Sequence, residues 1–262
     1  MDTRDAAAAI AEQPLWYHTI DVAPGVATPG WFDLRPIVDR IPWPDLTGKR
    51  CLDVATYDGF LAFELERRGA AEVWATDVAS HEGWDWLPRV RALGPAKLAE
   101  MAGQKGRGFE IAAELLGSKV QRKFVNVYDL HPDDIGTFDV VVCGSLLLHL
   151  RDPMRALEAI RRVCHGVFLS IEQIDVISSV VLRRRPTMFV LGDRAQWAIP
   201  NASGHRQMLK VAGFDLISHT KPFAEPFGVG HPTFRRTPRW MLQRAFSGGI
   251  DGVPTAAVLC RP

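Results

Sequence analysis

Short apolar runs alternate along the chain with stretches whose apolar residues recur at helical spacing. The runs predict strands at 50–54, 72–76, 123–127, 138–143, 167–171, 214–218 and 255–260. Helices are predicted near 59–68, at 153–163 and near 205–211, and Asp152 followed by Pro153 marks the start of the second one. Strands that alternate with helices predict an α/β fold with a doubly wound, mostly parallel sheet. An antiparallel last strand would complete a seven-stranded sheet.

Three segments lie outside this alternation. Residues 1–44 precede the first strand and are rich in aromatic side chains, residues 81–108 separate the second and third strands, and residues 221–254 precede the last strand. Each is too short to build a core of its own. We therefore predict an N-terminal arm or lid over 1–44 on a single domain over 45–262, with the other two segments as substrate walls. An arm that only packs on the sheet is the alternative.

Composition narrows the functional classes. The 262 residues carry a net charge of +1, so charge alone does not indicate a polyanion-binding protein, although basic residues at 183–185 and 235–239 leave a local patch open. The four cysteines form no CxxC pair, so neither a metal site nor a redox dithiol is expected. No apolar run is long enough to span a membrane, and the alanine-rich start is too short for a signal peptide. A cytoplasmic location is the resulting expectation.

A short acidic and small-residue turn follows the first strand. It resembles the DxGxGxG loop of class I S-adenosylmethionine (SAM) methyltransferases, in which a tight turn lets the backbone approach the cofactor. Ala55 and Tyr57 replace the first two glycines and only Gly59 remains. The resemblance implies a Rossmann-like methyltransferase fold and assigns Asp53, Ala55, Thr56, Tyr57 and Gly59 to the cofactor site. An ordinary strand-to-helix turn is the alternative.

Two later strand ends carry further cofactor candidates. Asp77, followed by Val78, lies about 20 residues beyond the first loop, where a carboxylate can accept hydrogen bonds from ribose hydroxyls. Asp77 could equally cap a helix. After the third strand, the family resemblance implies that Asn126 meets the adenine amino group, while Val127 and Tyr128 flank the ring.

The longest resemblance begins at the fourth strand. Cys143, Gly144 and Ser145 lead into a Leu-Leu-Leu-His turn, a helix and a strand that ends at Glu172. This block, within a likeness over about 45–220, is similar to a branch related to bacterial tRNA wobble-uridine carboxymethyltransferases. Leu148 stands where those enzymes carry a tyrosine, and residues 1–44 are too short for their N-terminal domain. Ordinary SAM is therefore the expected cofactor, rather than its carboxylated form.

Methyl transfer by in-line displacement needs a positioned acceptor and, for some acceptors, a base. His149, just past the fourth strand, and His18, in the aromatic arm, are the candidate bases, and Glu172 could bind the acceptor. His149 could instead tie loops together, and Glu172 could cap one. The candidate acceptor-binding residues are Trp16, Tyr17, Trp31, Arg235 and Arg236.

We predict methyl transfer to an oxygen or nitrogen of a small-molecule acceptor. An RNA methyltransferase, a nicotinamide oxidoreductase and a SAM-binding protein without catalysis are the alternatives. The near-neutral charge favours the small molecule, whereas the family likeness and the basic residues favour RNA. The first loop lacks the GxGxxG of dinucleotide-binding proteins, which argues against the oxidoreductase.

Overall fold

The structure, a computed structural model, describes residues 3–102, 106–193, 195–233 and 236–262. The strands are β1 Trp16–His18, β2 Asp21–Ala23, β3 Val26–Ala27, β4 Gly30–Phe32, β5 Arg50–Val54, β6 Glu72–Asp77, β7 Gln121–Phe124, β8 Phe138–Gly144, β9 Cys164–Gln173, β10 Met188–Asp193, β11 Gln196–Pro200, β12 Asp215–His219, β13 Phe223–Pro226 and β14 Gly252–Arg261. The helices are α1 Thr3–Ala11, α2 Phe60–Arg67, α3 Pro88–Arg91, α4 Pro95–Ala102, α5 Arg107–Leu116, α6 Pro132–Ile135, α7 Pro153–Val163, α8 Val176–Val181, α9 Ala202–Val211 and α10 Pro238–Phe246.

The central sheet has the order β12-β14-β9-β8-β5-β6-β7. Strands β7, β6, β5, β8 and β9 pair in parallel, and β14 runs antiparallel between β9 and β12. The predicted α/β class and mostly parallel sheet are therefore confirmed. The chain leaves β5 toward β6 and β7 and returns through β8 on the other side, so the switch point lies between β5 and β8. Ligands of doubly wound sheets bind outside the carboxyl ends of the strands at this point.

Two apolar layers cover the sheet. One contains α2, α5 and the N-terminal arm, and the other contains α7 and α9. The central strands β5 and β8 are almost entirely buried, in agreement with their continuous apolar sequences. Helix α7 begins as predicted, because the Asp152 carboxylate accepts the Arg155 N–H at 3.1 Å and Pro153 needs no partner for its nitrogen.

The third strand of the sheet differs from its prediction. It ends at Phe124 rather than Val127, because Asn126 caps a 3₁₀ turn and accepts the Tyr128 N–H through its side chain at 3.1 Å. The apolar run that predicted a strand thus leaves the sheet and turns toward the switch point.

Several short strands were not predicted. β1 pairs with β4 and β2 with β3 in the arm, β10 and β11 form a hairpin, and β13 adds to β14. The arm strands β1–β4 have only two or three residues, too few to show alternation in the sequence.

The N-terminal arm joins the layer of α2 and α5. Trp16 is 1% exposed, and its indole N–H donates to the Ile10 carbonyl at 3.2 Å. The Asp33 N–H donates to the Pro226 carbonyl, and the Gly228 N–H donates to the Trp31 carbonyl. These two bonds join the arm to the segment around the end of β13. The arm is therefore part of the packed domain.

Within the described residues, no helix has both the length and the apolar character needed to cross a membrane.

Gly59 precedes α2 with φ of 96°, and a Cβ there would lie 2.5 Å from the Phe63 ring and 2.8 Å from the Phe109 ring. Gly69 has φ of 93° but nothing within 4 Å of its Cβ position. Gly69→Ala should cost about 1–2 kcal/mol of unfolding free energy through backbone strain alone. Gly59→Ala should cost about 1–3 kcal/mol more through overpacking. Urea unfolding of both variants measures the difference, and equal losses would contradict the packing account.

Candidate active site

A cavity of about 490 Å³ opens at the carboxyl edge of the sheet, beside the switch point. We call one part of its lining the cofactor end, formed by Ala55, Tyr57, Asp77, Val78, Asn126, Val127 and Tyr128. We call another part the acceptor end, formed by Tyr17, His18, Trp31, Phe32, Glu225, Phe227 and His231. Gly144, Ser145, Leu148 and His149 line the cavity as well. A volume of this size is typical of sites for small ligands.

The loop after β5 adopts left-handed backbone without glycine at two positions. Ala55 has φ of 62° and Tyr57 has φ of 51°. These are the positions where the family motif has its first two glycines, so the tight turn persists despite the substitutions. The turn is held by the Thr56 N–H on the Thr76 carbonyl and the Tyr57 N–H on the Asp77 carboxylate, both at 3.0 Å. The Tyr57 ring packs against Tyr17 at 5.2 Å between centroids.

Asp77 stands at the end of β6 and is 6% exposed. One carboxylate oxygen accepts the Tyr57 N–H, and the other accepts the Val78 N–H at 2.7 Å. A carboxylate offers about four acceptor positions, so these bonds orient it without using its whole capacity. Its place in the cavity fits the predicted contact with ribose hydroxyls.

Asn126 lines the cavity, but its amide already holds two backbone groups. Its oxygen accepts the Tyr128 N–H, and its NH₂ group donates to the Gly83 carbonyl at 3.2 Å. The second bond ties the cofactor end to the segment 81–108. The predicted adenine contact would therefore have to share the Asn126 oxygen with the turn.

Asp85 fixes that segment over the cofactor end. Its carboxylate accepts the Tyr128 hydroxyl and the Arg151 N–H, and its carbonyl accepts the Trp197 indole N–H at 2.6 Å. Trp84 and Trp86, with ring centroids 5.0 Å apart, also line the cavity. This insertion therefore covers the cofactor end.

Four residues predicted to touch the cofactor do not line the cavity: Asp53, Thr56, Gly59 and Cys143. Asp53 and Cys143 lie within the strands and are almost fully buried, so they support the site from below. Burial raises the pKa of the Asp53 carboxyl to about 7. Gly59 shapes the loop through its backbone conformation.

Glu172 does not line the cavity either, which corrects the prediction that it binds the acceptor. It is 1% exposed, and its carboxylate accepts the Leu147 N–H at 3.1 Å. Burial raises the pKa of Glu172 well above its usual range. The residue holds the turn that carries His149, which is the capping role that the sequence left open.

His149 faces the cavity from that turn. Its Nδ1 lies 3.0 Å from the Ala195 carbonyl oxygen. A carbonyl can only accept, so Nδ1 carries the proton and Nε2 carries the lone pair of the neutral ring. His149 thus links its turn to the β10–β11 hairpin.

His18 has a carboxylate partner that the sequence did not reveal. Asp58, 2% exposed, contacts the His18 Nδ1 and also accepts the backbone N–H groups of Tyr17 at 2.8 Å and His18 at 2.7 Å. Burial by itself lowers the pKa of His18, but the Asp58 charge and hydrogen bond outweigh it, so the pKa lies above its ordinary value. The geometry is that of a carboxylate-oriented imidazole.

Glu225 is the second functional candidate that sequence reasoning missed. It lies on β13, is 6% exposed, and accepts the Ser145 hydroxyl at 3.3 Å. Burial raises the pKa of Glu225 to about 7, and nearby His18 acts in the opposite direction. Burial and then the charge of Glu225 raise the pKa of Tyr17, which places the two side chains close together.

The predicted acceptor-binding residues separate into two groups. Tyr17 and Trp31 line the acceptor end, with ring centroids 6.4 Å apart. Trp16 belongs to the core, because its side chain points away from the cavity into the arm. Arg236 is also outside the cavity, exposed and paired with Asp251 at 3.4 Å. Arg235 lies outside the described residues.

Known proteins resemble this chain in sequence over part of its length and in fold. Residues 96–167 match the family described as Methyltransferase domain. The N-terminal domain of EvdMO1, crystallised in the presence of S-adenosylhomocysteine (SAH) and D-fucose, has a similar fold with a TM-score of 0.59 and 16% identity, covering 100% of this chain and 97% of that one. Residues 96–167 therefore resemble the methyltransferase domain family, and the fold is similar to that of a protein crystallised with SAH.

Two curated proteins are similar in sequence to most of this chain. The tRNA U34 carboxymethyltransferase of Idiomarina loihiensis is 25% identical over 190 residues, which are 72% of this chain and 50% of the relative. The ubiquinone biosynthesis O-methyltransferase of Dechloromonas aromatica is 28% identical over 197 residues, covering 72% of this chain and 67% of the relative. The chain thus matches half of the first relative's length and about two thirds of the second's.

The chemistry of the cavity fits SAM, the cofactor of this class. SAM carries a sulfonium cation and a ribose diol, and the cofactor end supplies the Asp77 carboxylate and apolar walls at Val78 and Val127. Bound SAM supplies an electrophilic methyl group.

Asp77→Ala should weaken SAM binding by about 1–3 kcal/mol, or roughly 5- to 150-fold in Kd, because it removes a charged hydrogen-bond acceptor and loosens the Tyr57 turn. Calorimetric titration with SAM and SAH measures the loss. Asp129→Ala, at an exposed carboxylate in the 3₁₀ turn that follows β7, is the matched control and should bind normally. Unchanged affinity in Asp77→Ala would contradict the assignment of the cofactor end.

Proposed function

We propose that this protein transfers a methyl group from SAM to an oxygen or nitrogen of a small molecule that is neutral or cationic. The observation that carries the proposal is the charge of the cavity. Within the described residues, its lining contains three acidic side chains, Asp77, Asp85 and Glu225, but no lysine or arginine. A phosphate or carboxylate would find no lysine or arginine there, and the His18 imidazole is already paired with Asp58.

The same observation separates this chain from part of its relatives. Carboxymethyl transfer requires a cofactor with an additional carboxylate, which needs a positive partner when it is buried. The described lining offers none, so ordinary SAM is favoured. The named substrate class of the ubiquinone relative is compatible with the aromatic acceptor end, where Tyr17, Trp31, Phe32 and Phe227 supply ring faces.

RNA binding is not favoured by the position of the basic residues. Arg236 pairs with Asp251, and its guanidinium also stacks over Trp240 at 5.5 Å. Segment 183–185 and Arg236 are absent from the cavity lining. These exposed basic residues lie outside the cavity lining, which supports a small-molecule acceptor over RNA.

His18 is the proposed general base. Asp58 holds its Nδ1, so Nε2 is the nitrogen that takes a proton from the acceptor. The carboxylate stabilises the imidazolium that results, and transfer in this form is typical of carboxylate-oriented histidines. His149 is instead assigned to positioning, because its Nδ1 bonds a carbonyl that offers no comparable charge stabilisation.

Transfer of label from radioactive SAM to a panel of aromatic hydroxyl and amino compounds tests this function. His18→Gln should lower kcat by about 10²–10⁴-fold, the usual worth of a general base, with SAM affinity unchanged. His165→Gln, at an exposed histidine paired with Asp139, is the matched control. Full activity of His18→Gln would mean that another group removes the proton from the acceptor. Turnover only with RNA would refute the small-molecule proposal.

The protonation of His18 can be measured without an acceptor. Its raised pKa means that the base form grows only as the pH passes above the ordinary histidine range, so the rate should rise through that region. Asp58→Asn removes the charge that outweighs burial and should shift the pKa of His18 downward. An NMR titration of the histidine rings compares the two proteins. An unshifted pKa would contradict the pairing.

A further inference from the structure

Glu225 lines the acceptor end of the cavity together with several aromatic side chains. Tyr17 packs against Phe32 with centroids 5.0 Å apart, and Phe32 packs against Phe227 at 6.0 Å. Phe227 follows Glu225 by two residues, and His231 stacks on it at 3.8 Å. The rings therefore form one continuous cluster that lines the same cavity as the Glu225 carboxylate.

The carboxylate lacks a strong cationic partner in the described structure. Its hydrogen bond comes from the neutral Ser145 hydroxyl, and the nearest positive influence is His18, whose ring is already paired with Asp58. An ionised carboxylate that is 94% buried is costly unless a cation or several donors compensate it. The aromatic faces around it attract cations through their ring quadrupoles.

We propose that Glu225 and the surrounding aromatic cluster select an acceptor that carries a protonated amino group. The ammonium donates to the Glu225 carboxylate and lies against the Tyr17, Phe32 and Phe227 rings. It is a recognition group, distinct from the atom that His18 deprotonates. The inference rests on the proposed function and narrows its substrate class to amines with a second nucleophilic group.

Three isosteric probes test the selection directly: 2-phenylethylamine, 2-phenylethanol and phenylacetate. Calorimetry on the SAH-saturated protein should show the amine binding about tenfold or more tightly than the alcohol, the effect expected for a hydrogen bond to a charged group. Phenylacetate should bind most weakly, because it places a second negative charge beside Glu225. Binding of the alcohol or the acid as tight as that of the amine would overturn the proposal, as would no binding of the amine at millimolar concentration.

Glu225→Gln should abolish the preference for the amine over the alcohol and leave SAH affinity unchanged. Glu82→Gln, at an exposed carboxylate beside the cavity mouth, is the matched control and should keep the preference. If Glu225→Gln weakens SAM but not SAH, the carboxylate serves the sulfonium and the proposal fails. If Glu225→Gln does not fold, Phe227→Leu provides a second test. It should weaken binding of the amine more than binding of the alcohol, and equal losses would contradict the proposed role of the aromatic cluster.

These measurements also distinguish a failure of the proposed function from a failure of the proposed role of Glu225. Failure of SAH to bind the unmodified protein would refute the proposed function itself. Normal SAH binding together with no preference among the probes would refute only the role of Glu225.

Discussion

The site depends on one buried carboxylate. Asp58 lies in the cofactor loop, yet all three of its described hydrogen-bond partners lie in the N-terminal arm, 40 or 41 residues away in sequence. Two of these partners are backbone N–H groups, so the contact fixes the path of the chain as well as the imidazole. The loop that shapes the cofactor end and the arm that walls the acceptor end are therefore held by the same side chain. Without it, the His18 imidazole would lose its carboxylate partner, and the backbone of Tyr17 and His18 would lose its hydrogen bonds to the loop.

The rest of the cavity follows from this attachment and from charge. β4 of the arm meets the segment after β13, so the arm brings Trp31 and Phe32 against Phe227 while β13 presents Glu225. The insertion closes the other end through Asp85. The described lining thus combines acidic groups and aromatic rings with no lysine or arginine, which supports the proposal of an acceptor without negative charge.

Much of the sheet was predictable, because its information is local. β5 and α7 have the predicted bounds, since continuous apolar runs and a capping Asp-Pro pair determine them. Asp77 was predictable by its distance from the first loop, and the φ values of Ala55 and Tyr57 show that the loop keeps its turn without glycines. Because two glycines of the DxGxGxG motif are replaced, the cofactor site could be predicted only with the help of the family resemblance.

The acceptor end was less predictable, because it is built from long-range contacts. Asp58 looks like one more polar residue in a loop, and its function is visible only when the arm folds back onto it. Glu225 lies in a short strand, and nothing in the neighbouring sequence indicates a functional residue. Arg236 looked like a ligand-binding residue in the sequence, but it pairs with Asp251 in the same segment. Trp16 and Tyr17 are neighbours in sequence but face opposite sides of β1, so composition could not separate core from cavity.

We propose that the cofactor loop and the N-terminal arm respond to the cofactor as one unit through Asp58. Amide hydrogen exchange over residues 16–32, with and without saturating SAH, measures this coupling. SAH should slow exchange in this arm as well as in the loop 55–59, and Asp58→Ala should confine the protection to the loop. Protection of the loop alone in the unmodified protein, with the arm unaffected, would contradict it.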